Sequence, residues 1–148
     1  MDAMSLAGDY DPTNVFAAIL AGTIPAARIY EDGDTLAFLD AFPQTRGHAL
    51  VIHKTAQARN LLDVEPAALA AITATVQRVA RMLVAALAPD GLQMIQYNGA
   101  AAGQTVFHLH VHLIPRWDGG ATGLPDGQRG MADPAVLAAL AEEIRAAG

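Results

Sequence analysis

The segment GQTVFHLHVHLIPR, residues 103–116, decides the fold of this chain, because apolar and polar residues alternate through its centre. Side chains along a β-strand point alternately to the two faces of a sheet, so His108, His110 and His112 are expected to share one face. The other face would pack on a core through the apolar residues between them, namely Phe107, Leu109, Val111 and Leu113. Pro115 has no N–H to donate to a neighbouring strand and is expected to mark the end of this one.

Three of the five histidines in the chain fall at alternate positions in that strand. A chance placement of polar residues on a solvent-exposed face does not explain this concentration. An imidazole near neutral pH serves as a nucleophile, a general acid or base, or a metal ligand. Two interpretations follow from the residues alone: a metal site on the i, i+2 histidine pairs, and covalent catalysis at phosphorus. The preceding segment Gly99–Thr105 favours the second, because its small residues allow backbone N–H groups to approach an anion and its amide and hydroxyl add polar contacts.

Composition excludes several classes of protein. A chain of 148 residues is expected to form one domain with a real core, and a net charge of −6 argues against general affinity for nucleic acid. The absence of cysteine excludes disulfides and cysteine-ligated zinc. We see no apolar run of about 18 residues and no signal peptide, so we expect a cytoplasmic protein with no membrane partner.

Periodicity and turn residues predict the other elements. Residues 1–10 are expected to be loose, and Gly119–Gly130, with its five glycines, is expected to be a flexible loop. The first predicted helix starts after Asp11-Pro12-Thr13 and stops at Gly22, with apolar residues at helical spacing, namely Val15, Phe16, Ile19 and Leu20. The later elements, in chain order, are strands at Arg28–Glu31, Thr35–Leu39 and Ala49–Ile52, a long helix at about Pro66–Leu87, a strand at Leu92–Tyr97, the histidine strand, and a helix from Pro134 to about Ala147. Strands joined by tight turns favour a mainly antiparallel sheet with helices packed on it, an α+β domain.

The histidine segment resembles the signature of the histidine triad (HIT) family of nucleotide hydrolases and transferases. The resemblance continues upstream through residues 21–26, 30–32, 36–40 and 47–52 and covers about residues 14–116. It implies a HIT-like fold: a mainly antiparallel five-stranded sheet with one long helix and short flanking helices, in a two-fold homodimer. Residues 1–148 would form a single HIT domain, with its core at about 14–116 and a C-terminal loop and helix at 117–148.

The resemblance also implies roles for the histidines. His110, the middle one, would attack the α-phosphorus of a nucleotide and carry a transient nucleotidyl group, with its other ring nitrogen donating to a carbonyl of the neighbouring strand. His112 would contact phosphate and help to protonate the leaving group, and His108 would order the site from its inner end. His48 would support His108 through a hydrogen bond, and His53 would be peripheral.

Further residues match positions that bind the nucleotide. Asp40 would accept hydrogen bonds from the ribose hydroxyls. Gln104 and Thr105 would bind the phosphate and leaving-group side. Many relatives have an amide residue that contacts phosphate at the position of Tyr97. Here either the neighbouring Asn98 would make that contact or the phenol of Tyr97 would replace it. The apolar slot for the base would be formed by Val15, Phe16, Ile19, Phe38 and Leu50.

The implied function is hydrolysis at the α-phosphate of adenosine-type (AMP) substrates, as in a nucleoside phosphoramidase, with no cofactor. A dinucleoside polyphosphate hydrolase and a nucleotide-binding module with little turnover are the alternatives, and a three-histidine metalloenzyme is a third. Some relatives bind a structural zinc, but Asn14 and Ala17 stand at the usual cysteine positions and Ala56 near the usual histidine. We therefore expect no bound metal.

Overall fold

The computed structural model describes residues 5–126 and 130–148. Short 3₁₀ turns at Ala100–Ala102 and Asp118–Gly120 interrupt two of its loops. The helices and strands, in chain order, are α1 Val15–Leu20, β1 Arg28–Glu31, β2 Thr35–Leu39, β3 Ala49–His53, α2 Pro66–Leu87, β4 Gly91–Ile95, β5 Val111–Arg116 and α3 Pro134–Ala147.

The five strands form one antiparallel sheet in the order β1-β2-β3-β5-β4. The hairpin between β1 and β2 is held by Asp32, whose Oδ1 accepts hydrogen bonds from the N–H groups of Asp34 and Thr35, both at 2.8 Å. Strand β5, which begins beside the histidines, lies between β3 and β4 and is therefore an interior strand. The architecture confirms the α+β class and the HIT-like sheet with one long helix.

The two faces of the sheet carry separate apolar clusters. Ala37 and Leu39 of β2 belong to the larger cluster, into which α2 and α3 pack. Leu36 and Phe38 point the opposite way and join the smaller cluster, which contains Phe16 of α1. This alternation places α1 on one face of the sheet and the long helices on the other.

Helix α2 is the main core helix. Pro66 occupies its first turn, where a missing N–H costs no hydrogen bond, and Ala88 ends it in the left-handed conformation. By length and composition α2 is apolar enough to cross a membrane, with a mean hydropathy of 1.3. Its stripe of buried residues, however, packs against the sheet as in the core helix of a globular protein. The members of this stripe in the larger cluster are Ile72, Val76, Val79, Met82 and Leu83.

The histidine segment differs from the prediction at its start. Strand β5 begins at Val111, because the preceding residues bind elsewhere: the N–H of Leu109 donates to the carbonyl of Ala58 at 2.9 Å. Pro115 lies inside the strand, beyond Leu113, the last β5 residue that β3 pairs, so its missing N–H removes nothing from that ladder. Strand β4 also ends two residues early, at Ile95, because the Gln96 side chain binds the Tyr97 carbonyl at 2.8 Å and starts a loop.

The prediction of a loose N-terminus is wrong for residues 5–10. Arg59 donates to the carbonyl of Ser5 at 2.8 and 3.1 Å, and Asn60 donates to the carbonyl of Leu6 at 2.8 Å. Residues 1–4 lie outside the described part of the chain. The glycine-rich loop is likewise anchored at Thr122, whose carbonyl accepts the N–H of Arg46 at 2.7 Å, while its residues 127–129 are not described.

Candidate active site

His110 is buried and oriented by a backbone carbonyl. Its Nδ1 lies 2.7 Å from the carbonyl oxygen of His108. A carbonyl can only accept, so Nδ1 carries the proton and Nε2 keeps its lone pair. Burial lowers the pKa of His110 to about 4, so the ring is neutral at pH 7. The acceptor belongs to the same segment, two residues earlier, rather than to the neighbouring strand as predicted.

Phe16 of α1 fixes the other side of the His110 ring. The two rings meet edge to face with centroids 4.8 Å apart, and Phe16 meets Phe38 in the same way at 5.4 Å. Asn14 caps α1 by accepting the N–H of Ala17 at 2.9 Å. The His110 ring is thus held by a residue of α1 on one side and by the hydrogen bond at its Nδ1.

His48 lies against His112, and not against His108 as the resemblance implied. The N–H of Gln44 donates to Nδ1 of His48 at 3.0 Å, so this nitrogen is unprotonated and Nε2 carries the hydrogen. Nε2 of His48 lies 2.9 Å from Nδ1 of His112, which must then be the acceptor. His112 therefore carries its own proton on Nε2. Burial lowers the pKa of His48 to about 3 and also lowers the pKa of His112.

His112 has the surroundings of a hydrogen-bond donor to substrate. Its ring centroid is 4.9 Å from that of His110 and 5.5 Å from that of Tyr97. Two adjacent imidazoles thus present opposite functions, a lone pair on His110 and an N–H on His112. This pair suits attack at phosphorus next to a leaving group that needs a proton.

His108 is held inside the protein by a hydrogen bond at Nδ1, which lies 2.7 Å from the hydroxyl of Tyr10. Burial lowers the pKa of His108 to about 4. Nδ1 of His108 is therefore not free for a substrate, and an ordering role for His108 stays a prediction. Tyr10 lies before the stretch that resembles the HIT family, and no sequence pattern singled it out.

Asp40 stands at the end of β2 beside His48. Its Oδ1 accepts the N–H of Phe42 at 2.8 Å, its Oδ2 is 3.4 Å from Nε2 of His48, and burial raises its pKa. The ligand-type atoms of Asp40, His48 and His112 all lie within 4.8 Å of one another. A metal-bound histidine normally donates its second ring N–H to an acceptor, whereas His48 Nδ1 faces the N–H of Gln44. The direction of the hydrogen bond from the Gln44 N–H to His48 therefore fits two hydrogen-bonded imidazoles, His48 and His112, better than a metal site.

The apolar residues assigned to the base slot divide into two groups. Val15 is 40% exposed at the start of α1. The other four are buried in the small cluster on the α1 face, namely Phe16, Ile19, Phe38 and Leu50.

Gln104 does not have the free amide that the prediction required. It is buried, its Oε1 accepts the N–H of Gly99 at 2.8 Å, and its Nε2 donates to the carbonyls of Arg59 and Val106. Both of its N–H groups are thus used inside the protein, and its role is to hold the loop.

The loop around Gln104 also uses its own backbone donors. The N–H groups of Ala102 and Gly103 donate to carbonyls inside the loop. Thr105 is exposed, and the Oδ1 of Asn98 accepts the N–H of Leu61 at 2.9 Å. Of the loop groups that were predicted to bind phosphate, Thr105 and the amide nitrogen of Asn98 remain as candidates.

Comparison with known proteins identifies the relatives of this chain. Residues 21–119 match the HIT domain family. An uncharacterized HIT-like protein of Mycobacterium tuberculosis is 45% identical over 120 residues, which are 81% of this chain and 83% of that protein. Adenylylsulfatase HINT3 of Arabidopsis thaliana is 38% identical over 102 residues, 69% of this chain and 51% of that protein.

Solved structures agree with the sequence relatives. A HIT-like protein from Bartonella henselae superposes with a TM-score of 0.86 at 40% identity, covering 95% of this chain and all of that one. A zinc-bound histidine triad family protein from Mycobacterium smegmatis superposes with a TM-score of 0.76 at 41% identity, covering 91% and 92%. The chain therefore belongs to the histidine triad (HIT) family.

Proposed function

We propose that the protein is a nucleotide hydrolase that cleaves at the α-phosphate of adenosine-type substrates through a nucleotidyl group on His110. The observation that carries this proposal is the hydrogen bond from Nδ1 of His110 to the His108 carbonyl, which leaves Nε2 as a neutral nucleophile. The relationship to an adenylylsulfatase supports a substrate with an adenylyl group. We favour phosphoramidates, in which an amine leaves, because His112 offers an N–H beside His110.

The reaction has two steps. Nε2 of His110 attacks phosphorus and the bond to the leaving group breaks. The leaving nitrogen takes up one proton from solvent and departs as the neutral amine, while the Nε2–H of His112 stabilises it through a hydrogen bond. Water then attacks phosphorus, the P–N bond to His110 breaks, its electron pair returns to Nε2 of His110, and the attacking water releases one proton to solvent.

The nucleotide would lie on the α1 face of the sheet. Asp40 would accept from the ribose hydroxyls, the buried cluster with Val15 at its rim would contact the base, and Thr105 and Asn98 would contact phosphate. We further propose a single domain over residues 1–148 that works in the cytoplasm without a cofactor. A homodimer is supported by the position of β4 at the sheet edge and by Met94, which is 58% exposed on it.

The test is turnover of adenosine 5′-phosphoramidate, adenylyl sulfate and diadenosine polyphosphates, each with a chelator present. His110→Ala should lose nearly all activity. His110→Asn should do the same although its amide can still donate to the His108 carbonyl, which separates the missing nucleophile from lost packing.

The outcomes distinguish the alternatives. The fastest substrate would name the leaving group, and faster cleavage of a dinucleoside polyphosphate would replace our choice of phosphoramidates. Loss of activity with the chelator would identify a metalloenzyme. Binding of AMP without cleavage of any of these substrates would identify a nucleotide-binding module.

A further inference from the structure

We propose that Tyr10 is a positioning residue for the nucleophile, acting on His110 through His108. The inference rests on the proposed role of His110. Its origin is a hydrogen-bonded path that leads from the N-terminal segment into the site through the side chains of Asn14, Tyr10 and His108.

The direction of each hydrogen bond in this path can be assigned. The amide nitrogen of Asn14 donates to the hydroxyl oxygen of Tyr10 at 2.9 Å, and an amide nitrogen can only donate. The phenol proton is then directed to Nδ1 of His108, 2.7 Å away. His108 accepts at Nδ1, so its own proton lies on Nε2.

The path reaches His110 through the backbone of His108. The Tyr10 hydroxyl holds the His108 ring in one orientation, and the His108 carbonyl lies 2.7 Å from Nδ1 of His110. That carbonyl alone places the His110 proton on Nδ1 and the lone pair on Nε2. Loss of the Tyr10 hydroxyl would free the His108 ring, loosen its carbonyl and let the His110 tautomer mix.

The N-terminal segment is anchored independently of this hydrogen bond. The carbonyls of Ser5 and Leu6 are bound by Arg59 and Asn60, and the Leu6 side chain covers Gly99, where a Cβ would lie 3.3 Å from it. These contacts place residue 10 beside His108, and they remain when the Tyr10 hydroxyl is removed. Tyr10→Phe should fold and keep the segment docked.

The experiment compares Tyr10→Phe with the matched control Tyr30→Phe. Tyr30 also donates its hydroxyl to one side chain, Asp32, but on the opposite side of the sheet. A third variant, Asn14→Asp, keeps the helix cap to Ala17 but replaces the donor to Tyr10 with an acceptor that competes for the phenol proton. The measurements are kcat and KM for a substrate that the wild type cleaves, and long-range ¹H–¹⁵N NMR of the imidazoles, which reports each tautomer without turnover.

We expect Tyr10→Phe and Asn14→Asp to lower kcat by about tenfold with KM nearly unchanged, as a misplaced reacting group does. The pKa of His108 should rise in Tyr10→Phe, and His110 should show a mixture of tautomers, while Tyr30→Phe behaves as wild type. Wild-type kcat and unchanged His108 and His110 spectra in Tyr10→Phe would overturn the proposal, as would an equal loss in Tyr30→Phe. A wild type without turnover would refute the proposed function, and the NMR comparison would still decide the role of Tyr10.

Discussion

Backbone groups set the tautomers of His110 and His48, and the His48 side chain in turn sets that of His112. The His108 carbonyl selects Nδ1–H in His110, and the Gln44 N–H selects Nε2–H in His48 and, through it, Nε2–H in His112. His110 and His112 therefore differ chemically, because Nε2 of His110 presents a lone pair and Nε2 of His112 presents a hydrogen.

The proposed role of His112 as a hydrogen-bond donor to the leaving group leads to a prediction. His112→Ala should slow the cleavage of an adenosine 5′-phosphoramidate with a basic amine by about 100-fold or more, because the departing nitrogen needs a proton. An aryl ester of AMP with an acidic phenol should be slowed much less, because that phenol leaves as an anion. Measuring kcat/KM of both substrates checks this, and equal losses would show that His112 only binds phosphate.

At the scale of single residues, the sequence predicted that His110 and His112 lie together but not which hydrogen bonds their rings make. Alternation brought His110 and His112 together, as the structure shows. The partner of His48 and the internal hydrogen bonds of Gln104 were missed, because both depend on the positions of loop backbone groups. No sequence pattern predicts those positions. Tyr10 was missed for the same reason.

Among the elements, the turn that enters β3 carries the tightest constraint on the site. Gly47 has φ of +91°, and a Cβ there would lie 2.3 Å from Cδ1 of Leu87 at the end of α2. Gly33, in the β1–β2 hairpin, has no atom within 4 Å of such a Cβ. The two glycines are a matched pair for testing how α2 and β3 fix His48.

Gly47→Ala should lower the free energy of unfolding by about 2–4 kcal/mol, the sum of a left-handed backbone penalty and a core clash. It should also lower activity, because His48 follows directly. Gly33→Ala should stay within about 0.5 kcal/mol of wild type. Denaturant unfolding of both variants checks this, and a Gly47→Ala protein as stable as wild type would contradict it.

The lengths and order of the elements were largely predictable from hydrophobic period and turn residues. Helix α2 begins at Pro66 and ends at Leu87, as predicted, because a proline starts it and the apolar stripe runs its whole length. The start of β5 was not predictable. Alternation continues from Phe107 to His110, but there the backbone binds the Ala58 loop instead of a strand.

For the molecule as a whole, burying these histidines couples stability to pH. The pKa values of His108 and His110 are about 4 when folded, against an ordinary value of 6.5, and that of His48 is about 3. Between these values the unfolded chain binds more protons, so each such histidine removes up to about 1.4 kcal/mol of stability per unit as the pH falls. The raised pKa of Asp40 has the opposite effect on stability, but this single carboxyl opposes at least three histidines.

We therefore expect the free energy of unfolding to fall by at least about 2 kcal/mol between pH 7 and pH 5. Denaturant unfolding at the two pH values, at constant ionic strength, measures this difference. A stability that stays level or increases over this range would show that the histidines are not buried in the neutral form.

The most direct test of the account is to trap the nucleotidyl group. Protein quenched in alkali during turnover of an adenosine 5′-phosphoramidate should gain the mass of one adenylyl group, and peptide mapping should place it on His110. The adduct should be absent from His110→Asn. Turnover without any adduct, or an adduct on His112 or His108, would contradict the assignment of His110 as the nucleophile.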